Sequence, residues 1–250
     1  MHVSESVSDP RVVTIQEKDQ TWIILDDPTS LNALDAPLVR ALAKEIESVK
    51  TGTLVITGRN GAFSSGGSLK VLSELSELSK TDVLGVESIV REGGNVIEDL
   101  LFSSATTIAL IDGACAGAGI AIALACDYQL ATHRTRFSSA YASLNLPTDF
   151  GTYELLKERI GEEEATKFIK NTDLMGITRA QEIGLVDGLI ERTDRKGVKK
   201  AIKDLKPRSR KALLKHISAN LDSEAAVFAR AMTNPRTQIK IEKAVRKLKK

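Results

Sequence analysis

The sequence is poor in the residues that staple, ligate and stack. In 250 residues it has two cysteines, three histidines, one tryptophan and 4% aromatics. Two cysteines cannot build a disulfide scaffold. Both, Cys115 and Cys126, sit in an apolar run rich in Ala and Gly, where they read as buried thiols of a reducing compartment. His2, His133 and His216 are scattered without metal-ligand spacing, so no metal is expected. A net charge of +2, from 35 basic and 33 acidic residues, argues against a nucleic-acid partner, as does the lack of base-stacking aromatics. The most apolar stretch, residues 106–125, contains Asp112 and three glycines, and reads as a buried strand and helix rather than a membrane span. The polar N-terminus lacks the apolar core of a signal peptide, so a cytoplasmic protein is expected.

What is present is ordinary for a soluble globular chain: 42% apolar and 27% charged residues. At this length one α/β domain buries roughly 70% of the unfolded surface without a staple. One local charge excess stands out. Arg236, Lys240, Lys243, Arg246, Lys247, Lys249 and Lys250 face a single acid, Glu242. A solvated C-terminal helix and a surface for an anionic ligand tail both fit that pattern.

Residues 11–16 and 21–25 read as a hairpin, 53–57 and 107–111 as buried strands, and 128–132 as another strand. Asp35 and Pro37 start a helix, as cap and first-turn residue. Helices are expected over 71–78 and 83–101, the latter weakened by Gly93-Gly94, and over 114–126, made of small residues. After Gly151 the chain reads as mainly helical, with segments at 209–219 and 222–250 and a break at Pro235. Strand, helix and strand recur, which implies a sheet built by crossovers.

Two glycine-rich turns each follow a strand: Ser65-Gly66-Gly67-Ser68, and Gly113 through Gly117-Ala118-Gly119. Exposed backbone N–H groups at such turns hold an anion or oxyanion, and a converging pair would stabilise a thioester enolate. Tight strand-to-helix packing is the competing reading of each turn taken alone. Gly113, Gly117 and Gly119 with Tyr153 and Lys157 imitate a short-chain dehydrogenase. Yet only 34 positions separate Gly119 from Tyr153, and no acidic residue ends a second strand where ribose would need it.

Taken together, the motifs resemble the crotonase family of enoyl-CoA hydratases and isomerases. Asn32-Ala33-Leu34 is similar to its N-A-L motif. Residues 62–70 are similar to A-F-x-A-G-[AG]-D-[IL]-K, and 112–127 to its glycine-rich helix motif ending in C-D. Residues 180–187 are similar to A-x-x-x-G-L-V-D. The resemblance implies an α/β fold, a crotonase-like ββα spiral core (1–175) holding an acyl-CoA site, and a helical C-terminal part (176–250) that packs a homotrimer or hexamer. It implies oxyanion-hole amides on Gly67 and Ala118, with CoA, a part of the substrate and not a covalently bound cofactor, passing Leu31, Ala33, Ser65, Ser68 and Leu69. The two hydratase glutamates are replaced by Ala121 and Tyr141, which stay as acyl-site positions, and the Asp of the first glycine loop is Ser68. Asp149 falls where dienoyl-CoA isomerases carry a catalytic aspartate. Asp149 as a plain loop residue or helix cap is the competing reading, and Tyr141 is either a ligand contact or a pocket wall. Proton transfer of the isomerase type is therefore expected over hydration. The alternative is a non-catalytic acyl-CoA binder that has lost the glutamates.

Overall fold

The computed structural model describes residues 9–207 and 210–248. The acidic N-terminal stretch with His2, the helix start expected at Ser209, and Lys249 and Lys250 lie outside the described residues. The chain begins with β1 (Val12–Glu17), β2 (Gln20–Leu25), α1 (Ala36–Ser48), β3 (Thr53–Gly58), β4 (Ala62–Ser64), α2 (Leu69–Leu78) and α3 (Val83–Phe102). It continues with β5 (Thr106–Ile111), β6 (Ala114–Ala116), α4 (Ala118–Leu124), β7 (Tyr128–Ala131), β8 (Arg136–Ser138), α5 (Tyr141–Leu144), α6 (Thr152–Ile160) and α7 (Glu162–Lys170). Last come β9 (Met175–Gly176), α8 (Ile177–Glu182), β10 (Gly188–Leu189), α9 (Arg195–Ile202), α10 (Arg210–Met232) and α11 (Pro235–Leu248).

The strands make two sheets, ordered β1-β2-β3-β5-β7-β10 and β4-β6-β8-β9. Three times the chain lays one strand in the first sheet, the next in the second, and then turns into helix: β3-β4-α2, β5-β6-α4 and β7-β8-α5. This is the expected ββα spiral. Neighbours from β2 to β10 are parallel, and only β1 at the edge runs antiparallel. A parallel sheet covered on both faces needs near-continuous apolar strands, which Gln20–Leu25 and Thr106–Ile111 supply. Alternation then sorts the side chains. Ile23, Leu25, Leu54, Ile56, Ala109 and Ile111 face the main core with α1, α3 and α4. Trp22, Ile24, Val55, Ile108, Leu110 and Tyr128 face the other way, partly under Val198 of α9.

Three local expectations are corrected. The helix expected over 114–126 is a short strand followed by α4, because residues 114–116 pair with both β4 and β8 and Gly117 turns the backbone at φ +52°. Gly93-Gly94 does not interrupt α3; both glycines are buried against other elements. The chain from 210 to 232 is one helix through Asn220 and Leu221, and α11 starts at Pro235, after Asn234 turns the chain and accepts a bond from Arg236 N–H at 2.9 Å. Asp35 caps α1 as expected, accepting from Leu38 N–H at 3.0 Å.

Candidate active site

The two glycine turns meet. β4 and β6 are parallel neighbours, so the loops that leave their C-terminal ends come out side by side. A Cβ on Gly66 would lie 2.7 Å from Ala116 O and 3.2 Å from Gly117 Cα, so this approach is open to glycine alone. Asn32, fully buried, ties the neighbouring loop to the same place. Its Nδ2 donates to Ala62 O at 2.7 Å, and its Oδ1 accepts from Asp27 N–H at 2.7 Å. Ser64 Oγ donates to Asn32 O and accepts from Gly66 N–H. Asn32 is thus a structural brace of this loop.

Gly67 follows the first turn and Ala118 begins α4. Among the described residues, no group of the chain accepts from the N–H of either. For Ala118 this follows from position, since the first N–H groups of a helix lack an intrahelical acceptor. Both residues border two adjoining cavities of about 60 and 50 Å³. Gly67, Leu72, Ala118, Asp149 and Phe228 line both.

Asp149 is the carboxylate that lines both cavities; Asp35 and Glu92 border only the first. Asp149 does not cap α6, whose cap position is Gly151. Its Oδ1 accepts from the Tyr141 hydroxyl at 2.6 Å, and its backbone oxygen accepts from Thr152 Oγ1 at 2.6 Å and Thr152 N–H at 2.9 Å. Burial pushes the Asp149 carboxyl up to about 7. The Tyr141 hydrogen bond opposes that rise, and the nearby Glu224 charge adds to it. Burial and the adjoining carboxylate push the Tyr141 phenol well above its usual value, so it stays protonated and donates. Tyr141 is therefore a buried hydrogen-bonded wall of the cavity.

The remaining predicted residues divide. Ser65 lines the smaller cavity and donates to Ser30 O at 3.0 Å. Ser68 caps α2, accepting from Val71 N–H, and borders a surface groove along that helix; Leu69 is the first residue of α2. Leu31 is 46% exposed at a positive φ, and Ala33 is buried. These residues rim one side of the glycine turns. Ala121 lies wholly in the core and lines neither cavity. Tyr153 and Lys157, the dehydrogenase look-alikes, face Thr166 and Glu154 instead.

Two contributors escaped the sequence reading, both on α10. Phe228 closes both cavities. Glu224 accepts from Gly151 N–H at 2.6 Å and Thr148 Oγ1 at 2.9 Å. They stand far along the chain from every motif, and nothing local marks them. A larger cleft, of about 800 Å³, opens on the outer sheet face, but its Arg59, Arg134 and Arg195 are paired with Asp26, Asp112 and Asp19. No group of three or more metal-ligating side chains, and no helix long and apolar enough to cross a membrane, occurs among the described residues.

Comparison with known proteins gives the family and the fold. The family model described as enoyl-CoA hydratase/isomerase matches residues 18–244. YhaR of Bacillus subtilis, named for the same activity, is 28% identical over 186 residues, covering 73% of this chain and 71% of its own. The trans-2-decenoyl-[acyl-carrier-protein] isomerase of Streptococcus mutans is 31% identical over 172 residues, covering 66% and 63%. The crystal structure of an enoyl-CoA hydratase/isomerase from Mycobacterium paratuberculosis superposes with a TM-score of 0.81 at 20% identity, covering 94% of this chain and 99% of that one, which shows the shared fold.

Proposed function

The chain belongs to the enoyl-CoA hydratase/isomerase family of acyl-CoA enzymes, and from that premise we propose that it moves a proton on an acyl-CoA through a thioester enolate, as an isomerase does, rather than adding water. The observation that carries this reading is the placement of Asp149 in the cavities bordered by Gly67 and Ala118. The thioester oxygen accepts from the N–H groups of Gly67 and Ala118, which lower the energy of the enolate as negative charge collects there. The Asp149 carboxylate removes a proton from the acyl carbon chain, and the resulting acid returns it at another carbon. An acid near 7 suits both halves of that task at neutral pH. Tyr141 holds Oδ1 and leaves Oδ2 for the substrate. CoA, a part of the substrate, passes Leu31, Ala33, Ser65, Ser68 and Leu69. The C-terminal helices pack a trimer or hexamer, and the setting is fatty acid metabolism in the cytoplasm.

Hydration in this family's manner calls for two carboxylates across the double bond, and their two positions are Ala121, buried away from both cavities, and Tyr141, a phenol. The test is a mixed acyl-CoA panel incubated in deuterated and in heavy-oxygen water and read by mass spectrometry. Deuterium uptake without heavy oxygen is expected, with Asp149→Asn lowering turnover by at least about 10²-fold while acyl-CoA affinity stays within about twofold. Heavy-oxygen uptake, or unchanged turnover in Asp149→Asn, overturns the proposal. Binding without turnover by the native chain would identify a non-catalytic acyl-CoA binder.

A further inference from the structure

One acid beside the cavity has no part in the steps above. Glu224 stands on α10 one turn before Phe228, and its side chain reaches the loop that carries Asp149. Its Oε1 accepts from the hydroxyl of Thr148, the residue before Asp149. Its Oε2 accepts from the N–H of Gly151, two residues after it. Between these anchors the backbone takes an unfavourable course, with Phe150 at φ +55° and Gly151 at φ +69°. The first of these is a bulky residue in the left-handed region, a conformation that persists only where its surroundings enforce it. The far end of the same segment is tied by α11: Asn145 Nδ2 donates to Thr237 Oγ1 at 3.0 Å, and Thr237 Oγ1 donates back to Asn145 O at 3.1 Å.

We propose that Glu224 is the positioning residue of this site: its carboxylate bridges Thr148 and Gly151 and holds the Asp149 carboxyl in the cavity against Tyr141. This rests on Asp149 being the proton carrier proposed above, yet the bridge itself can be tested without any substrate. The charged and titratable groups that face the pair are few. Asp149 meets Tyr141 of α5 and the charge of Glu224 of α10, and shares the border of one cavity with Asp35, at the start of α1, and Glu92 of α3; Glu224 also feels the charge of Glu154 of α6. Among the described residues neither carboxylate has a basic partner. Glu224 therefore acts on Asp149 in two ways, by fixing the loop and by placing a like charge behind it.

The experiment is a titration of the protein labelled with ¹³C at its aspartate carboxyls, with the Asp149 signal identified by its loss in Asp149→Asn. It is paired with hydrogen exchange at the Gly151 amide. Glu224→Gln removes the charge, while its amide can keep both anchors as weaker neutral hydrogen bonds, its oxygen accepting from Gly151 N–H and its nitrogen donating to the Thr148 hydroxyl. Its expected effects are a fall of about one pH unit in the Asp149 midpoint and Gly151 exchange severalfold faster. Thr148→Val removes one anchor and keeps the charge, and serves also where Glu224→Gln fails to fold. It is expected to speed Gly151 exchange severalfold while the Asp149 midpoint stays at or above that of the native chain. Unchanged midpoints and exchange in both variants overturn the proposal. In turnover, Glu224→Gln should lower kcat with KM unchanged and move the acidic limb of the rate to lower pH. A chain that turns over no acyl-CoA defeats the proposed function, and the titration and exchange still decide the role of Glu224.

Discussion

Asp149 keeps its proton to a pH at which an exposed carboxyl has long lost it, and this has a cost in stability. Its ordinary value is 3.8 and its value in the fold is about 7, so between those limits the folded chain binds more protons than the unfolded one. Stability contributed by the neutral acid is present below about pH 4 and is lost as pH rises through 7. Asp149→Asn removes that loss, because an asparagine oxygen can still accept from Tyr141. The variant should melt at a higher temperature than the native chain at pH 8, and at nearly the same temperature at pH 4. Melting curves at the two values check this; an equal difference at both would place the charge elsewhere. Asp149 was legible in the sequence through its neighbourhood, Asp149-Phe150-Gly151-Thr152, and Gly67 and Ala118 through their turns. Glu224 was not, because its partners lie 76 and 73 positions away and a lone glutamate on a solvated-looking helix carries no local signal.

At the level of elements, α3 runs unbroken over 20 residues with two adjacent glycines at its centre. Each glycine costs a helix about 1 kcal/mol relative to alanine. Packing explains their presence. A Cβ on Gly93 would lie 2.0 Å from Phe150 Cζ, and one on Gly94 would lie 3.1 Å from Leu221. Gly93→Ala therefore sets a helix gain of about 1 kcal/mol against an overpacking cost of about 1–3 kcal/mol. The ring cannot retreat, because its backbone is held between Thr148 and Gly151, so overpacking should win. The expected result is a net loss of about 1 kcal/mol in denaturant unfolding, together with reduced turnover as Phe150 displaces Asp149. A stabilised variant with full turnover would contradict this packing. The periodicity of α3 was readable from sequence, but the reason for its glycines lies on other elements. The same holds for residues 114–116. Small residues read as helix until the pairing of β6 with β4 and β8 is known.

The whole molecule shapes the ligand by charge as much as by volume. The two adjoining cavities are bordered by Asp35, Glu92 and Asp149 and otherwise by uncharged, mainly apolar residues; no basic side chain among the described residues lines them. An acyl chain ending in a carboxylate would bring a second negative charge to Asp149 with nothing to pair it. A neutral acyl-CoA should therefore bind at least about tenfold more tightly than its ω-carboxyl analogue of equal length. Calorimetric titration of the two decides it, and equal affinity would require a cation from outside the described residues. The spiral architecture at this scale was legible because several motifs occur in order along the chain. The joining of α10 and α11 to the site was not, since the sequence shows helices but not which loop they hold.

The chain's one tryptophan lies on the far side of the sheet from these events. Trp22 is 7% exposed, packed with Val55, Ile108 and Tyr128 on the face turned away from the main core. Its fluorescence is thus an optical gauge of whether the outer layer is closed. The emission should redden in a single step as that layer opens in denaturant, and stay constant as acyl-CoA fills the opposite side. Folding can be followed by its glow alone, whereas ligand occupancy requires a dye or a labelled substrate.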